Sequence, residues 1–349
     1  MNIWKKVKYY TFLLRPQEVV MIMDNNIEQV LYQYPIHPIT LTRHGKAVKV
    51  EAAEGVFALK ETYISQERAE RFLQTLRFFE KQQLPAVTPV LPTENGEWSV
   101  EQEGKIYYLS PWGESCGGKR KETDFFKTLA VFHRSTDKKI AIRSQEWQEN
   151  GEKMRRERDQ ELLELEVLAD EIEKKRYFSP FELSYLSHFP LIYDMYQRSM
   201  SFFDEWERKA EERRTIRLVQ CHGSPSPHHL ITDPKLNYRF INLEQTKVGH
   251  PAHDVAWMYK SCMEERCWEP VKGYSWMQTY DQHFPFNEAD KALVKSQIFY
   301  PGPLSAFIKD TRHRELYEEP YLTQALEQHV WLFEKIKKDM ETWSEINKD

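Results

Sequence analysis

The chain has 349 residues, 40% of them hydrophobic, which is enough apolar material for one large domain or two modest ones. Charged residues make up 30%, but both signs are interspersed and the net charge is only −5, so the one-sided basic surface of a nucleic-acid binder is excluded. Four cysteines (Cys116, Cys221, Cys262, Cys267) in so long a chain do not form a disulfide framework, and no apolar run reaches the length of a membrane span. A reducing compartment is expected during folding.

The opening stretch, MNIWKKVKYYTFLLRPQEVV, joins a basic patch to an apolar piece from Tyr9 to Leu14, too short for a signal-peptide core and lacking a small-residue cleavage site. Gln17-Glu18-Val19-Val20 can be encoded by codons that read as a ribosome-binding sequence just ahead of Met21 and Met23. Two expectations stand side by side: translation from Met23, or a loosely held tail over residues 1–26. Residues 27–34 suit a short helix, which Pro35 and Pro38 stop. Ile39–Val50 and Gly55–Lys60 alternate as strands, with a turn at Ala52-Ala53-Glu54-Gly55. Ser65–Gln82 predicts a helix capped by Ser65, its apolar face carried by Phe72, Leu76 and Phe79. Pro85–Leu91 and Trp98–Leu109 predict further strands, joined by the Asn95-Gly96 turn signal.

The remainder reads as mostly helical. Asp124–His133 is one predicted helix, and Ser144–Lys175 is a long, highly charged one. Its i,i+4 charges suit a solvated face, with a partner-binding surface as the alternative. Pro180–Met200 and Ser201–Arg214 continue the pattern, and Asp233-Pro234 starts a turn between hairpin strands at His229–Ile231 and Tyr238–Leu243. Beyond residue 257 the chain is predicted helical, with Trp268, Trp276 and Trp331 as packing anchors. Cys262 and Cys267 read as ordinary buried thiols.

Residues 220–257 read QCHGSPSPHHLITDPKLNYRFINLEQTKVGHPAHDVAW. This block resembles the phosphotransfer core of aminoglycoside and choline phosphotransferases, distant relatives of protein kinases. Those enzymes carry H-G-D-x-x-x-x-N, a short hairpin, hydrophobic-Asp-hydrophobic-Glu, and then G-D-P-x-x-D-hydrophobic-A. Here His222 and Gly223 stand, but Ser224 replaces the catalytic Asp and His229 the Asn. Asn242, in Phe240-Ile241-Asn242-Leu243-Glu244, replaces the second metal-binding Asp, while the tail from Gly249 to Ala256 is kept, with Asp254 at its structural Asp. Phe57-Ala58-Leu59-Lys60 is similar to the strand-lysine motif whose amine grips the ATP phosphates. The resemblance implies that Glu67 or Glu70 of the following helix pairs with Lys60, although both also read as surface charges. It places Leu109-Ser110-Pro111-Trp112 at the junction of the two lobes, where the backbone at Leu109 and Pro111 would meet adenine, or would serve as a plain linker. The glycine-rich loop would correspond to Thr42-Arg43-His44-Gly45-Lys46, which has one glycine.

Losing a general base removes about 10²–10⁴ in rate. Ser224 has no charge, Asn242 offers a neutral carbonyl where Mg²⁺ prefers carboxylate oxygen, and His229 offers nitrogen, which suits Zn²⁺ better. Cys221, His222, His228 and His229 crowd together, yet their spacing does not match a zinc site, so no metal is expected there and His222 reads as a structural hydrogen-bonding residue.

With these positions in hand, the chain resembles the spore coat protein family typified by CotS, and within it the YsxE and YutH-like branch. The resemblance runs from about Ile27 to beyond Tyr259. It includes Gly55–Thr62, Pro89-Val90-Leu91-Pro92-Thr93, Tyr107-Tyr108-Leu109 with Pro111-Trp112, and His222–Pro227. It implies an α+β, two-lobed, aminoglycoside-phosphotransferase-like fold: a small antiparallel-sheet lobe over 27–110 and a mainly helical lobe over 111–349, with the degenerate loop at 221–244. It also implies manufacture in the mother-cell cytoplasm, assembly into the spore coat and other coat proteins as partners. The expected function is a structural pseudokinase with no required cofactor, binding ATP weakly if at all and Mg²⁺ more weakly still. The rivals are a working small-molecule phosphotransferase with an altered metal site, and a scaffold that holds ATP without turning it over.

Overall fold

The computed structural model describes residues 25–63, 66–115, 122–233, 235, 237–264, 272–311 and 319–346. The expected start at Met23, the Ser65 cap, Cys116, Pro234, Cys267 and Trp268 lie outside the described residues, as does the side chain of Glu67. In chain order the elements begin α1 (Asn25–Leu31), β1 (Pro38–His44), β2 (Ala47–Ala52), β3 (Gly55–Thr62) and α2 (Gln66–Gln82). They continue β4 (Val100–Gln102), β5 (Lys105–Pro111), β6 (Glu114–Ser115), α3 (Glu122–Arg134), β7 (Lys138–Ala141), α4 (Ser144–Glu173) and α5 (Pro180–Arg213). After β8 (Thr215–Cys221), β9 (Leu230–Thr232), β10 (Tyr238–Phe240) and β11 (Lys247–Gly249) come α6 (Ala252–Glu264), α7 (Lys272–His283), α8 (Glu288–Phe299), α9 (Gly302–Thr311) and α10 (Glu319–Ile346).

Two compact units result. The first holds Met1–Ser135, His222–Ser224 and His228–Lys247; the second holds Thr136–Cys221, Pro225–Pro227 and Val248–Asp349. The main sheet of the first unit is antiparallel, in the order β1-β2-β3-β5-β4. Strand alternation sends Val48, Val50, Phe57, Leu59, Tyr107 and Leu109 into one core with Ile27, Val30 and Leu31 of α1. The opposite face carries Lys60 and its cross-strand neighbour Tyr108, and Tyr108 meets Phe72 of α2 edge-on at 5.3 Å. Phe72, Leu76 and Phe79 are all buried, as the helical spacing predicts. A second sheet, in the order β10-β9-β6, contains the expected hairpin.

Several predicted strands are cut differently. The 39–50 stretch is a β1–β2 hairpin turning at Gly45, whose φ is +60°. Likewise 98–109 turns at Glu103-Gly104, where both residues have positive φ, the two-residue hairpin geometry. Glutamate is an uncommon occupant of that region, so the turn was hidden. Pro85–Leu91 makes only isolated bridges, Val87 with Phe240 and Leu91 with Leu109, since Pro85 and Pro89 have no N–H for a ladder.

The second unit is mainly helical. The two predicted pieces after Pro180 form one helix, α5, with Pro190 inside it; α5 packs on α8, α10 and α4. Arg158 of α4 is buried, donating to the hydroxyls of Ser199 and Ser296. Asp254 lies buried in the first turn of α6, and Cys262 is buried on the same helix. Trp276 is buried as expected, whereas Trp331 is 47% exposed, with the Lys335 ammonium 3.7 Å above its ring. Among the described residues no helix is long and apolar enough to cross a membrane.

Candidate functional site

The site is built on β3, β5 and the segments His222–Ser224 and His228–Lys247, which hold the β9–β10 hairpin, all within the first unit. Lys60 stands near the end of β3, on the face opposite the apolar core. Its described ion partner is Glu244, at 3.9 Å, both side chains being less than one-fifth exposed. Glu70, the alternative named from sequence, is exposed on α2. The short 3-10 turn Leu243–Gln245 carries Glu244 to this face, where it also accepts a 2.6 Å hydrogen bond from the Tyr108 hydroxyl. Burial pushes the Lys60 amine below the usual lysine range; Glu244 opposes this and Lys46 adds to it. Burial and the Glu244 charge push the Tyr108 phenol well up, so it remains a neutral donor.

The loop before β9 is closely built. Gly223 has φ +90°, and a Cβ there would lie 2.1 Å from the backbone oxygen of Gln245, so only glycine fits. His222 donates from Nε2 to the Ile241 carbonyl at 2.9 Å, the structural role expected of it. His229 bonds the Ser224 carbonyl through Nδ1 at 3.0 Å, which places its proton on Nδ1. The two imidazoles stack at 5.4 Å with planes 10° apart. The backbone of Ile241 donates to the His229 carbonyl, tying the loop to the segment that holds Asn242.

Ser224, His229 and Asn242 are thus brought onto one tightly bonded frame. Ser224 is uncharged. Burial, with help from the neighbouring His222 and Lys60 charges, holds His229 down to about 3, so it is neutral and a very weak base near pH 7. Asn242 adopts the left-handed conformation, φ 65° and ψ 53°, which asparagine tolerates. Its Oδ1 is buried with no hydrogen-bond partner. A divalent cation of the magnesium type prefers hard, anionic oxygens in near-octahedral array. An amide oxygen and a neutral imidazole fit that preference poorly.

Of the junction residues, Leu109 is fully buried in the sheet. Its carbonyl accepts from Leu91, and its N–H faces the Tyr34 hydroxyl. Those groups are spent within the core, because the β3–β5 register turns Leu109 away from β3. Pro111 pairs opposite Phe57 and has no N–H to offer. Trp112, next along, meets His44 edge-on at 5.2 Å beside the Gly45 turn. Sequence reasoning missed Glu244 and Tyr108 as neighbours of Lys60. Glu244 was visible as the last residue of its motif; Tyr108 had no signal beyond its strand register.

No curated protein sequence matches the chain. Solved structures do share its architecture. An aminoglycoside phosphotransferase from Alicyclobacillus acidocaldarius aligns with a TM-score of 0.73 at 17% identity, covering 93% of this chain and 96% of that one. Spectinomycin phosphotransferase APH(9)-Ia, in complex with ADP and spectinomycin, aligns at 0.55 and 12% identity, covering 93% and 98%. The microcompartment-associated aminopropanol kinase aligns at 0.52 and 14%, covering 90% and 97%. At such identities the likeness is one of fold. The model of the phosphotransferase enzyme family, APH, matches residues 37–282, well over half the chain. The protein therefore belongs to the APH phosphotransferase enzyme family, on a kinase-like fold of antiparallel sheet followed by helices.

Proposed function

We propose that this chain is a catalytically degenerate phosphotransferase, a pseudokinase, serving as a structural or assembly component of the bacterial spore coat. It would be made in the mother-cell cytoplasm and join other coat proteins. The observation that carries the non-catalytic reading is the chemistry of Ser224, His229 and Asn242. The frame around them is intact, yet the base and metal positions hold a hydroxyl, a neutral imidazole and an orphaned amide. Loss of the base removes about 10²–10⁴ in rate by itself, and loss of the cation's ligands removes the charge neutralisation on which phosphoryl transfer depends. The coat assignment rests on the resemblance to the CotS family. The acceptors named for the similar structures do not transfer to this chain.

Purified protein incubated with ATP, Mg²⁺ and small hydroxyl acceptors is expected to release no phosphorylated product. In a sporulating host, a fluorescent fusion is expected to gather on the forespore surface, with a Ser224→Ala version gathering equally well. Sustained transfer abolished by Ser224→Ala would sink the pseudokinase reading. A fusion that stays spread through the mother cell would sink the coat reading.

A second reading, a scaffold that holds a nucleotide without consuming it, is favoured by Lys60 and Glu244, an ion pair with both side chains less than one-fifth exposed.

A further inference from the structure

We infer that the site around Lys60 takes a nucleoside triphosphate as the free polyanion, without a divalent cation, and that magnesium weakens its binding; this rests on the degenerate reading of the site above. Two features point the same way.

The first is charge. In a site with aspartates at the base and metal positions, a bare polyphosphate meets two carboxylates, and a cation must bridge them. Here both positions are neutral, and His229 is neutral as well. Lys60 remains, and among the described side chains the carboxylate that faces it is Glu244. Relative to a site with both aspartates, the local balance is shifted towards an anion, and a magnesium complex, carrying two fewer negative charges, gains less from that shift.

The second is availability. Glu244 takes its close hydrogen bond from Tyr108, while Lys60 lies at 3.9 Å, beyond hydrogen-bond range. Among the described hydrogen bonds none uses Lys60 Nζ, so its donors are open to a phosphate oxygen.

The test is calorimetric titration of the full chain with ATP, once with EDTA and once with saturating Mg²⁺. Binding is expected in EDTA, with Kd rising about fivefold or more when Mg²⁺ saturates the nucleotide. Inorganic tripolyphosphate should compete. Lys60→Met should abolish binding, and Lys60→Arg should restore part of it. Asn242→Asp, which is isosteric and tolerates the same left-handed backbone, should weaken ATP in EDTA by about tenfold and make Mg²⁺ helpful. No heat with ATP in EDTA overturns the inference and leaves the coat reading standing. Binding that needs Mg²⁺, without turnover, overturns it equally. Mg²⁺-dependent turnover overturns both.

Discussion

Gly223 shows how closely the loop is built. With φ at +90° and the Gln245 oxygen where a Cβ would go, a methyl group has no room and the backbone no alternative. Gly223→Ala is expected to lower stability by about 2–4 kcal/mol, read as a drop in the urea midpoint at unchanged slope. A loss near zero would show that the loop yields. This part of the site was legible in sequence because the motif is contiguous: His222-Gly223 anchors the frame, and fixed spacing then locates Ser224, His229 and Asn242. The neighbours of Lys60 were not legible in the same way. Glu244 and Tyr108 reach it only through tertiary folding, Glu244 on a 3-10 turn far along the chain.

At the scale of elements, the long helix α5 has well-defined ends. Ser179 and Glu182 form a reciprocal capping box at its start. Arg214 closes it in the left-handed region, φ 56°, where glycine is ordinarily preferred. Ser179→Ala is expected to cost about 1 kcal/mol. Arg214→Gly is expected to be neutral or to gain a few tenths, about 0.5 kcal/mol, by relieving the positive φ. Thermal melts of the two variants should move in different directions, and a large loss for Arg214→Gly would show that its side chain holds more than the cap. Helices were read well because they are long and periodic. Strands were read in the right places but with hairpins fused, since the turns at Gly45 and Glu103-Gly104 interrupt otherwise continuous β-favouring runs. β8 escaped notice because it begins directly after the α5 cap, and β7 because it is four exposed residues.

The whole molecule carries a buried histidine of depressed basicity in each unit. Burial holds His229 to about 3 and His329 to about 4, against 6.5 for a free imidazole. Unfolding therefore takes up protons below pH 6.5. Stability from these groups is full above that value and falls as the pH drops towards the folded values. Each histidine should remove about 2 kcal/mol between pH 7 and pH 5. Urea midpoints measured across this window should fall steadily, and His229→Gln should flatten part of the slope. A flat profile in the parent would mean that neither ring is shielded as described. The kinase-like class and the family were legible from one contiguous block and a strand lysine. Partner surfaces were not, because outer surfaces carry no spacing rule comparable to that of a phosphate site.

Lys335 of α10 is 4% exposed, gives its amine to the Met263 carbonyl of α6, and covers the face of Trp331. An amine-directed chemical label reaches most lysines at the speed of surface diffusion, but it reaches this one only when α10 lifts away from α6. Modification at Lys335 therefore counts openings of the C-terminal helix, and offers a clock for how often that part of the protein breathes.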